Sequence, residues 1–329
     1  MEAVPLVEVW RGPFLESVHR GHAAICGPDG RVREAWGDPD AVILPRSSCK
    51  MLQALPLVES GARLPPERLA LACASHQGAG VHVRGVEAWL AELGLGDRDL
   101  RCGPETPRDE AERHRIRDEG APVRQVHNNC SGKHAGFLQL AQSLGGGPDY
   151  VEPDHPVQRA VRAAFEEATG APSPGWAMDG CSAPNFATTL RGLATAMARF
   201  AAATGADARG RAMVRLREAM AAHPVLVAGE GRACTALMRA MEGVAVKTGA
   251  EGVFVAILPR LGLGVALKIA DGASRASECA VAAILARLGA LDPAHPLVEA
   301  PLRNRRGLVV GAVRPAPALR PQAAKSARA

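Results

Sequence analysis

Hydrophobic and polar residues alternate near both ends of the chain, in the two-residue period of β-strands. Residues 5–36 alternate around the turn Gly27-Pro28-Asp29-Gly30, which predicts a β-hairpin. Apolar and β-branched runs separated by glycine return late in the chain and predict four more strands, at 244–247, 253–258, 264–269 and 307–313. Both ends of the chain are therefore predicted to contribute strands.

The middle of the chain has the spacing of helices instead. Residues 47–71 place Met51, Leu52, Leu55 and Leu57 on one stripe. Further helices are predicted at about 83–93, 131–144, 155–169, 184–204, 207–222 and 274–288. This order predicts an α/β (α+β) fold, an antiparallel sheet formed by both chain ends (about 1–46 and 244–313) with a helical region (about 47–243) inserted.

Length and composition limit the number of domains and the kinds of partner. With 329 residues, 47% hydrophobic and 22% charged, the chain is long enough to bury the core of one large or two modest domains, and we expect a single domain over residues 1–313. Neither a long apolar run nor a leader is recognisable, so we expect a cytoplasmic protein with no membrane partner. The net charge of +5 is concentrated late in the chain, and residues 314–329 are predicted to be a disordered basic tail. We expect no nucleic-acid partner.

Lysine is scarce. Of the 39 basic residues only five are lysines, at positions 50, 133, 247, 268 and 325. Arginine is used at nearly all positions where only a positive charge is needed. A lysine in the body of the chain therefore indicates a position that needs an amine. An amine can lose its proton when it is buried, whereas a guanidinium cannot.

Ser47-Ser48-Cys49-Lys50 opens the first predicted helix, and its spacing puts Ser47 and Lys50 on one face. A neutral Lys50 amine could take the Ser47 proton, which makes Ser47 a candidate nucleophile. The alternative is that Ser47 only caps the helix and Lys50 is exposed.

A second motif, Lys247-Thr248-Gly249, follows at the end of a predicted strand. Ser-x-x-Lys and then Lys-Thr-Gly, in this order, resemble the serine β-lactamase and penicillin-binding-protein fold. The alternative is a strand end with a glycine turn. Ser75, after an apolar helix, could pair with Lys247 or simply cap that helix.

Two polar loops each contain a cysteine. One is Asn128-Asn129-Cys130-Ser131-Gly132-Lys133-His134, and the other is Asp179-Gly180-Cys181. Two loops with one cysteine each are a weak zinc signal, and the residues alone favour substrate-loop or buried-thiol roles over a metal site.

These motifs together resemble the bacterial L-asparaginase II family of the thermolabile, rhizobial type, over nearly the whole chain apart from the tail. The resemblance implies a homodimer that hydrolyses L-asparagine to L-aspartate and ammonia through a Ser/Lys-activated acyl-enzyme. It implies Ser47 with Lys50 as nucleophile and base, Ser75 with Lys247 as a second pair, and zinc held by Cys130, Lys133 and Cys181. Asp179 would orient metal-bound water, and the substrate would contact Arg46, Asn129, His134 and Gly249.

Three other readings stay open. One is a β-lactamase-like amidase, esterase or peptidase with another substrate. Another is a glutaminase, because one methylene in a pocket is worth only about 1–3 kcal/mol. The third is a non-catalytic zinc-binding or thiol-sensing protein built on Cys130 and Cys181.

Overall fold

The structure, a computed structural model, describes residues 2–320. The strands are β1 (Val4–Arg11), β2 (Phe14–Cys26), β3 (Val32–Trp36), β4 (Val42–Ile43), β5 (Trp176–Met178), β6 (Pro184–Phe186), β7 (Thr188–Thr189), β8 (Ala245–Thr248), β9 (Val253–Leu258), β10 (Leu263–Ile269), β11 (Ala300–Arg303) and β12 (Val309–Pro315). The helices are α1 (Lys50–Gln53), α2 (Leu55–Glu59), α3 (Pro66–Ala72), α4 (Gly80–Glu92), α5 (Glu110–Asp118), α6 (Ser131–Ser143), α7 (Pro156–Thr169), α8 (Leu190–Ala202), α9 (Ala208–Ala222), α10 (Pro224–Val227), α11 (Ala233–Ala240) and α12 (Ser274–Arg287).

An eight-stranded antiparallel sheet joins the two ends of the chain. Its order is β11-β12-β1-β2-β10-β9-β8, with β3 paired to β2. The ends meet twice, where β12 pairs with β1 and where β10 pairs with β2. The helical region lies between β3 and β8 in the chain, so the predicted fold class, a mixed fold with helices inserted between the two halves of an antiparallel sheet, is confirmed.

Helices cover both faces of the central strands. Every residue of β9 is buried, which requires cover on both sides, and α8 and α12 both contact β9 and β10. Gly264 allows α8 to approach closely, because a Cβ there would lie 2.2 Å from the Ala194 carbonyl oxygen. The hydrophobic core is therefore built around the sheet and these two helices, and it continues into the helical region, where Leu52 and Phe165 are buried in the same cluster.

Several predicted boundaries were wrong. The helix predicted from residue 184 begins at Leu190, because Thr189 caps it by accepting from the Gly192 N–H, and two short strands precede it. The stretch 47–71, predicted to be helical, contains a 3₁₀ turn followed by α1, α2 and α3. The prediction missed α5, α10 and α11, which are short or polar, and the edge strand β11.

The predicted tail begins too early. Arg314 and Pro315 belong to β12, and the 3₁₀ turn Pro317–Leu319 that follows buries Leu319 completely. The Ala316 N–H donates to the Leu6 carbonyl, so this segment is tied to β1. Residues 321–329 of the predicted tail lie outside the described residues. Within 2–320, no helix is both long and apolar enough to cross a bilayer.

Candidate active site

Ser75 lies between two buried lysines. Its Oγ accepts a hydrogen bond from Lys50 Nζ at 3.0 Å and another from Lys247 Nζ at 2.9 Å. Ser75 lies three residues after the end of α3, and its backbone N–H donates to the Val227 carbonyl. Lys50 begins α1 and Lys247 lies on β8, so three separate elements converge on one hydroxyl group.

Both amines are almost completely removed from solvent, each lysine being 1% exposed. Lys50 Nζ also donates to the Ala74 carbonyl and to Cys130 Sγ, and Lys247 Nζ also donates to the Thr248 carbonyl. Burial, helped by the positive charge of Lys50, lowers the pKa of Lys247 to about 7. A substantial fraction of Lys247 is therefore neutral near pH 7 and able to accept a proton.

Ser47 lies beside this group, in the 3₁₀ turn Arg46–Cys49. The residue before it, Arg46, has a φ of +53°, which is rare for a non-glycine residue and is held by a hydrogen bond from its N–H to Asn185 Oδ1. Such strain is typical of functional sites. Gly249 makes the turn possible, because a Cβ at Gly249 would lie 2.6 Å from the Pro45 carbonyl oxygen.

The spacing along the helix predicted that Lys50 would contact Ser47, but Lys50 contacts Ser75 instead. Among the described residues, Lys50 Nζ bonds to Ala74, Ser75 and Cys130 and not to Ser47. The buried carbonyl, hydroxyl and thiol around the amine take its three donors, so the link between Lys50 and a serine runs to Ser75 instead.

A cluster of two thiols and an amine adjoins the lysines. Lys133 Nζ donates to Cys181 Sγ at 3.0 Å, and the Cys130 thiol lies near Cys181. The nearby Cys130 thiol and the Lys133 charge lower the pKa of Cys181 well below its usual value, while the nearby Cys181 and burial raise the pKa of Cys130. The predicted trio of Cys130, Lys133 and Cys181 is thus brought together, with the thiolate at Cys181.

Asp179, expected from the resemblance to orient metal-bound water, binds two side chains of the protein through its carboxylate. Its carboxylate accepts from Arg46 Nε at 3.0 Å and lies 2.9 Å from Arg46 Nη2, and it also accepts from Asn185. Burial favours the neutral acid, but the charges of Lys133 and Arg46 outweigh it and lower the pKa of Asp179. Asp179 therefore holds Arg46, next to Ser47, in position.

His134 does not belong to the substrate cavity, which corrects the expectation. It is fully buried and its Nδ1 bonds to the Tyr150 hydroxyl at 2.9 Å. Burial lowers the pKa of His134 well below its usual value, so the ring is neutral. One residue after Lys133 on α6, its side chain is rotated by about 100° and packs into the helical core instead.

Two adjoining cavities open onto these groups. A cavity of about 310 Å³ is lined by Ser47, Ser75, Asn129 and Gly249, among others. A second, of about 490 Å³, is lined by Arg46, Cys130, Asp179 and Cys181 and shares Ser47 and Asn129 with the first. Except for His134, the residues expected to bind substrate therefore line a common space.

A model of one protein family, described as L-asparaginase II, matches residues 7–315. The chain belongs to the L-asparaginase II family. It is therefore an amidohydrolase of the asparaginase type, acting on a small-molecule substrate. The family prediction and the prediction of an enzyme are confirmed. No match was found among curated protein sequences.

Solved structures resemble this family member only distantly. A candidate β-lactamase from Bacteroides dorei is 12% identical, with 76% of this chain and 84% of that one covered and a TM-score of 0.42. A β-lactamase from Mycobacterium bovis is 16% identical over 81% and 94%, with a TM-score of 0.38. A structure titled Mglu in its native form is 14% identical over 78% and 61%, with a TM-score of 0.41. At this distance the matches identify no substrate.

Sequence reasoning missed the charged groups around the cavities. Glu105 Oε2 accepts from both the backbone N–H and the side-chain amide of Asn129, at 2.9 and 2.7 Å. This leaves Asn129 Oδ1 as acceptor for the Cys130 thiol at 3.0 Å. Arg108 and Arg232 line the smaller cavity as well. These residues lie in loops without periodicity, and no signal in the sequence marks them.

Proposed function

We propose that the protein hydrolyses the side-chain amide of L-asparagine to L-aspartate and ammonia through an acyl-enzyme formed on Ser47. The observation that carries this proposal is the Ser75 hydroxyl group, held between two buried lysines in the cavity that Ser47 lines. An amide needs both a nucleophile and a proton carrier, because its leaving group must be protonated to depart as ammonia.

In the first half-reaction Ser47 Oγ attacks the side-chain amide carbon and loses its proton to Ser75 Oγ. Ser75 in turn gives its own proton to the neutral Lys247 amine. When the tetrahedral intermediate collapses, the carbon–nitrogen bond breaks and the same path returns the proton to the leaving nitrogen. Water then attacks the β-aspartyl ester by the reverse proton route, releasing L-aspartate and restoring Ser47.

Backbone N–H groups at the start of the 3₁₀ turn are proposed as the oxyanion hole. The Ser48 N–H donates to the Pro45 carbonyl at 3.2 Å, so the Ser47 N–H is the group we assign to the oxyanion. Arg46, fixed by Asp179, keeps this turn in its strained conformation.

We also propose one zinc ion per chain, held by Cys130, Lys133 and Cys181. Within residues 2–320 there is no group of three His, Cys, Asp or Glu side chains able to hold a metal, so the set depends on the lysine amine. The donors fit zinc chemically, since two thiolates and one nitrogen are ligands that it favours. Lys133 would have to give up its proton on binding. When bound, zinc would supply a fixed positive charge able to polarise a carbonyl group or water.

The homodimer implied by the resemblance is also proposed. Two hairpin tips joined by a hydrogen bond from the Gly12 N–H to the Val310 carbonyl expose Phe14, Leu15, Leu308 and Val309. Such exposed apolar side chains are suited to an interface between copies. Sedimentation at micromolar concentration should give twice the mass of the chain, and a monomer would contradict the proposal.

Ammonia release from L-asparagine and, separately, from L-glutamine tests the function. We expect release from asparagine, its loss in Ser47→Ala and in Ser75→Ala, and retention in Ser48→Ala, whose hydroxyl group is buried on the Pro45 carbonyl. Rapid acid quench and peptide mapping should locate the acyl group on residue 47. An acyl group on residue 75 would exchange the roles of the two serines, and no release from either amide would refute the amidase reading.

A further inference from the structure

Three arginines line the two cavities, and two of them are already paired with a carboxylate. Arg46 is bound by Asp179 through two nitrogens, at 3.0 and 2.9 Å. Arg108 lies 3.9 Å from Glu105, and more than half of its side chain is exposed. Neither guanidinium is therefore a free partner for an incoming anion.

Arg232 differs from both. It is half-buried and lines the same cavity as Ser47 and Ser75. Within the described part of the chain its guanidinium makes no hydrogen bond and has no carboxylate within 4.0 Å. Glu251, the acidic residue lining that cavity, forms no ion pair with it.

Arg232 has no direct partner for its charge among residues 2–320. Glu278 on α12 interacts electrostatically with the guanidinium but forms no ion pair with it, and burial raises the pKa of Glu278. Arg232 also precedes α11 directly, at the positive end of that helix. A guanidinium cannot lose its proton, so the cavity beside Ser75 carries a lasting positive charge that an anionic group of a ligand would neutralise.

L-Asparagine carries such a group close to its reactive amide. Its α-carboxylate is separated from the side-chain amide carbon by only two carbon atoms. We infer that Arg232 binds the α-carboxylate of the substrate while the amide lies at Ser47 and Ser75, an inference that rests on the proposed function. The fork of N–H donors on a guanidinium matches the two oxygens of a carboxylate.

Truncated substrates test the contact directly. Ammonia release is measured from L-asparagine, from succinamic acid, which lacks only the α-amino group, and from 3-aminopropanamide, which lacks only the α-carboxylate. The variants are Arg232→Gln, Arg232→Lys and Arg108→Gln, and the charge-matched control is Arg305→Gln on an exposed loop. Because the Arg232 side chain makes no hydrogen bond within residues 2–320, its variants should keep the melting temperature of the wild type.

We expect Arg232→Gln to lower kcat/KM for asparagine and for succinamic acid about 10- to 100-fold, which is the range for a charge-assisted hydrogen bond. For 3-aminopropanamide, which lacks the carboxylate, kcat/KM should fall less than about threefold. Arg232→Lys should recover part of the loss. An equal loss on all three amides, no loss on any, or the carboxylate-selective loss appearing in Arg108→Gln instead would overturn the inference.

A binding measurement separates this inference from the proposed function. If the wild type releases ammonia from none of the amides, the proposed function fails, and calorimetry with L-asparagine, which is then not consumed and whose only carboxylate is the α-carboxylate, decides on Arg232. Binding to the wild type that weakens at least tenfold in Arg232→Gln would support the carboxylate site, whereas equal binding or none would overturn it.

Discussion

Replacing Lys247 tests whether the site depends on an amine that can be neutral. The fall in its pKa from the ordinary 10.5 to about 7 means that this pocket disfavours the ammonium form by about 5 kcal/mol relative to water. Arginine in the same place would be charged at every pH, and would meet a penalty of this order. That is a large part of the 5–15 kcal/mol by which whole domains are stable. Methionine has nearly the same volume as lysine and no charge.

Lys247→Met is therefore expected to fold with a melting temperature close to that of the wild type, while Lys247→Arg should melt at a clearly lower temperature. Both should lose activity about 10²- to 10⁴-fold, because neither side chain can accept the proton of Ser75. Since only the neutral amine acts as base, kcat/KM of the wild type should fall as the pH drops below about 7.

Lys268→Met is the matched control. Lys268 is a half-buried lysine on β10 whose Nζ donates to backbone carbonyl groups, including that of Ile269 at 2.9 Å, and not to a serine. Its loss should change kcat/KM by no more than about threefold. The reasoning would be refuted by an active Lys247→Arg enzyme, or by a wild-type pH profile that is flat between pH 5.5 and 8.5.

Three further predictions concern neighbouring groups. Glu105→Gln removes the charged acceptor of both Asn129 donors and should lower kcat/KM about tenfold with little change in melting temperature, as steady-state kinetics and thermal melts would show. Cys181→Ser should weaken zinc binding at least tenfold, measured by metal analysis after dialysis, whereas the buried Cys279→Ser should bind as the wild type does. Burial lowers the pKa of His82, so the unfolded chain binds its proton first, and stability should be full above about pH 6.5 and fall below it. Urea unfolding should show a slope of up to about 1.4 kcal/mol per pH unit from this group, removed in His82→Gln.

The fold was predictable from sequence wherever a periodic pattern decided it. β9 was predicted at its observed bounds because every residue of it is apolar. The end of α7 was predicted correctly because Gly170, which adopts the left-handed conformation, follows it. The helix expected from residue 184 failed because two short strands intervene, and periodicity does not reveal pairings as short as that of β4 with β7.

The site was predictable only as far as rare residue types mark it. Lys50, Lys133 and Lys247 stood out because lysine is scarce, and all three are buried at the site. Which serine each lysine touches was not predictable from spacing along one helix, because Ser75 reaches Lys50 and Lys247 from another element. Arg232 was not distinguishable either, since it is one arginine among thirty-four and its lack of a partner is a property of the tertiary structure.

The two lysines give Ser75 a property that neither would give alone. A hydroxyl oxygen has two lone pairs, and with Lys50 and Lys247 both donating, both pairs are occupied, so the Ser75 proton has to point elsewhere. When Lys247 is neutral, its own lone pair is the acceptor and that bond reverses direction. Because the pKa of Lys247 is about 7, the charged lysine that donates to Ser75 and the neutral lysine that accepts from it are nearly equal in free energy at neutral pH. A proton can then move in both directions during one turnover. These contacts favour Ser75 as a proton carrier, and they support our proposal that Ser47, which has no lysine on its oxygen among the described residues, is the nucleophile.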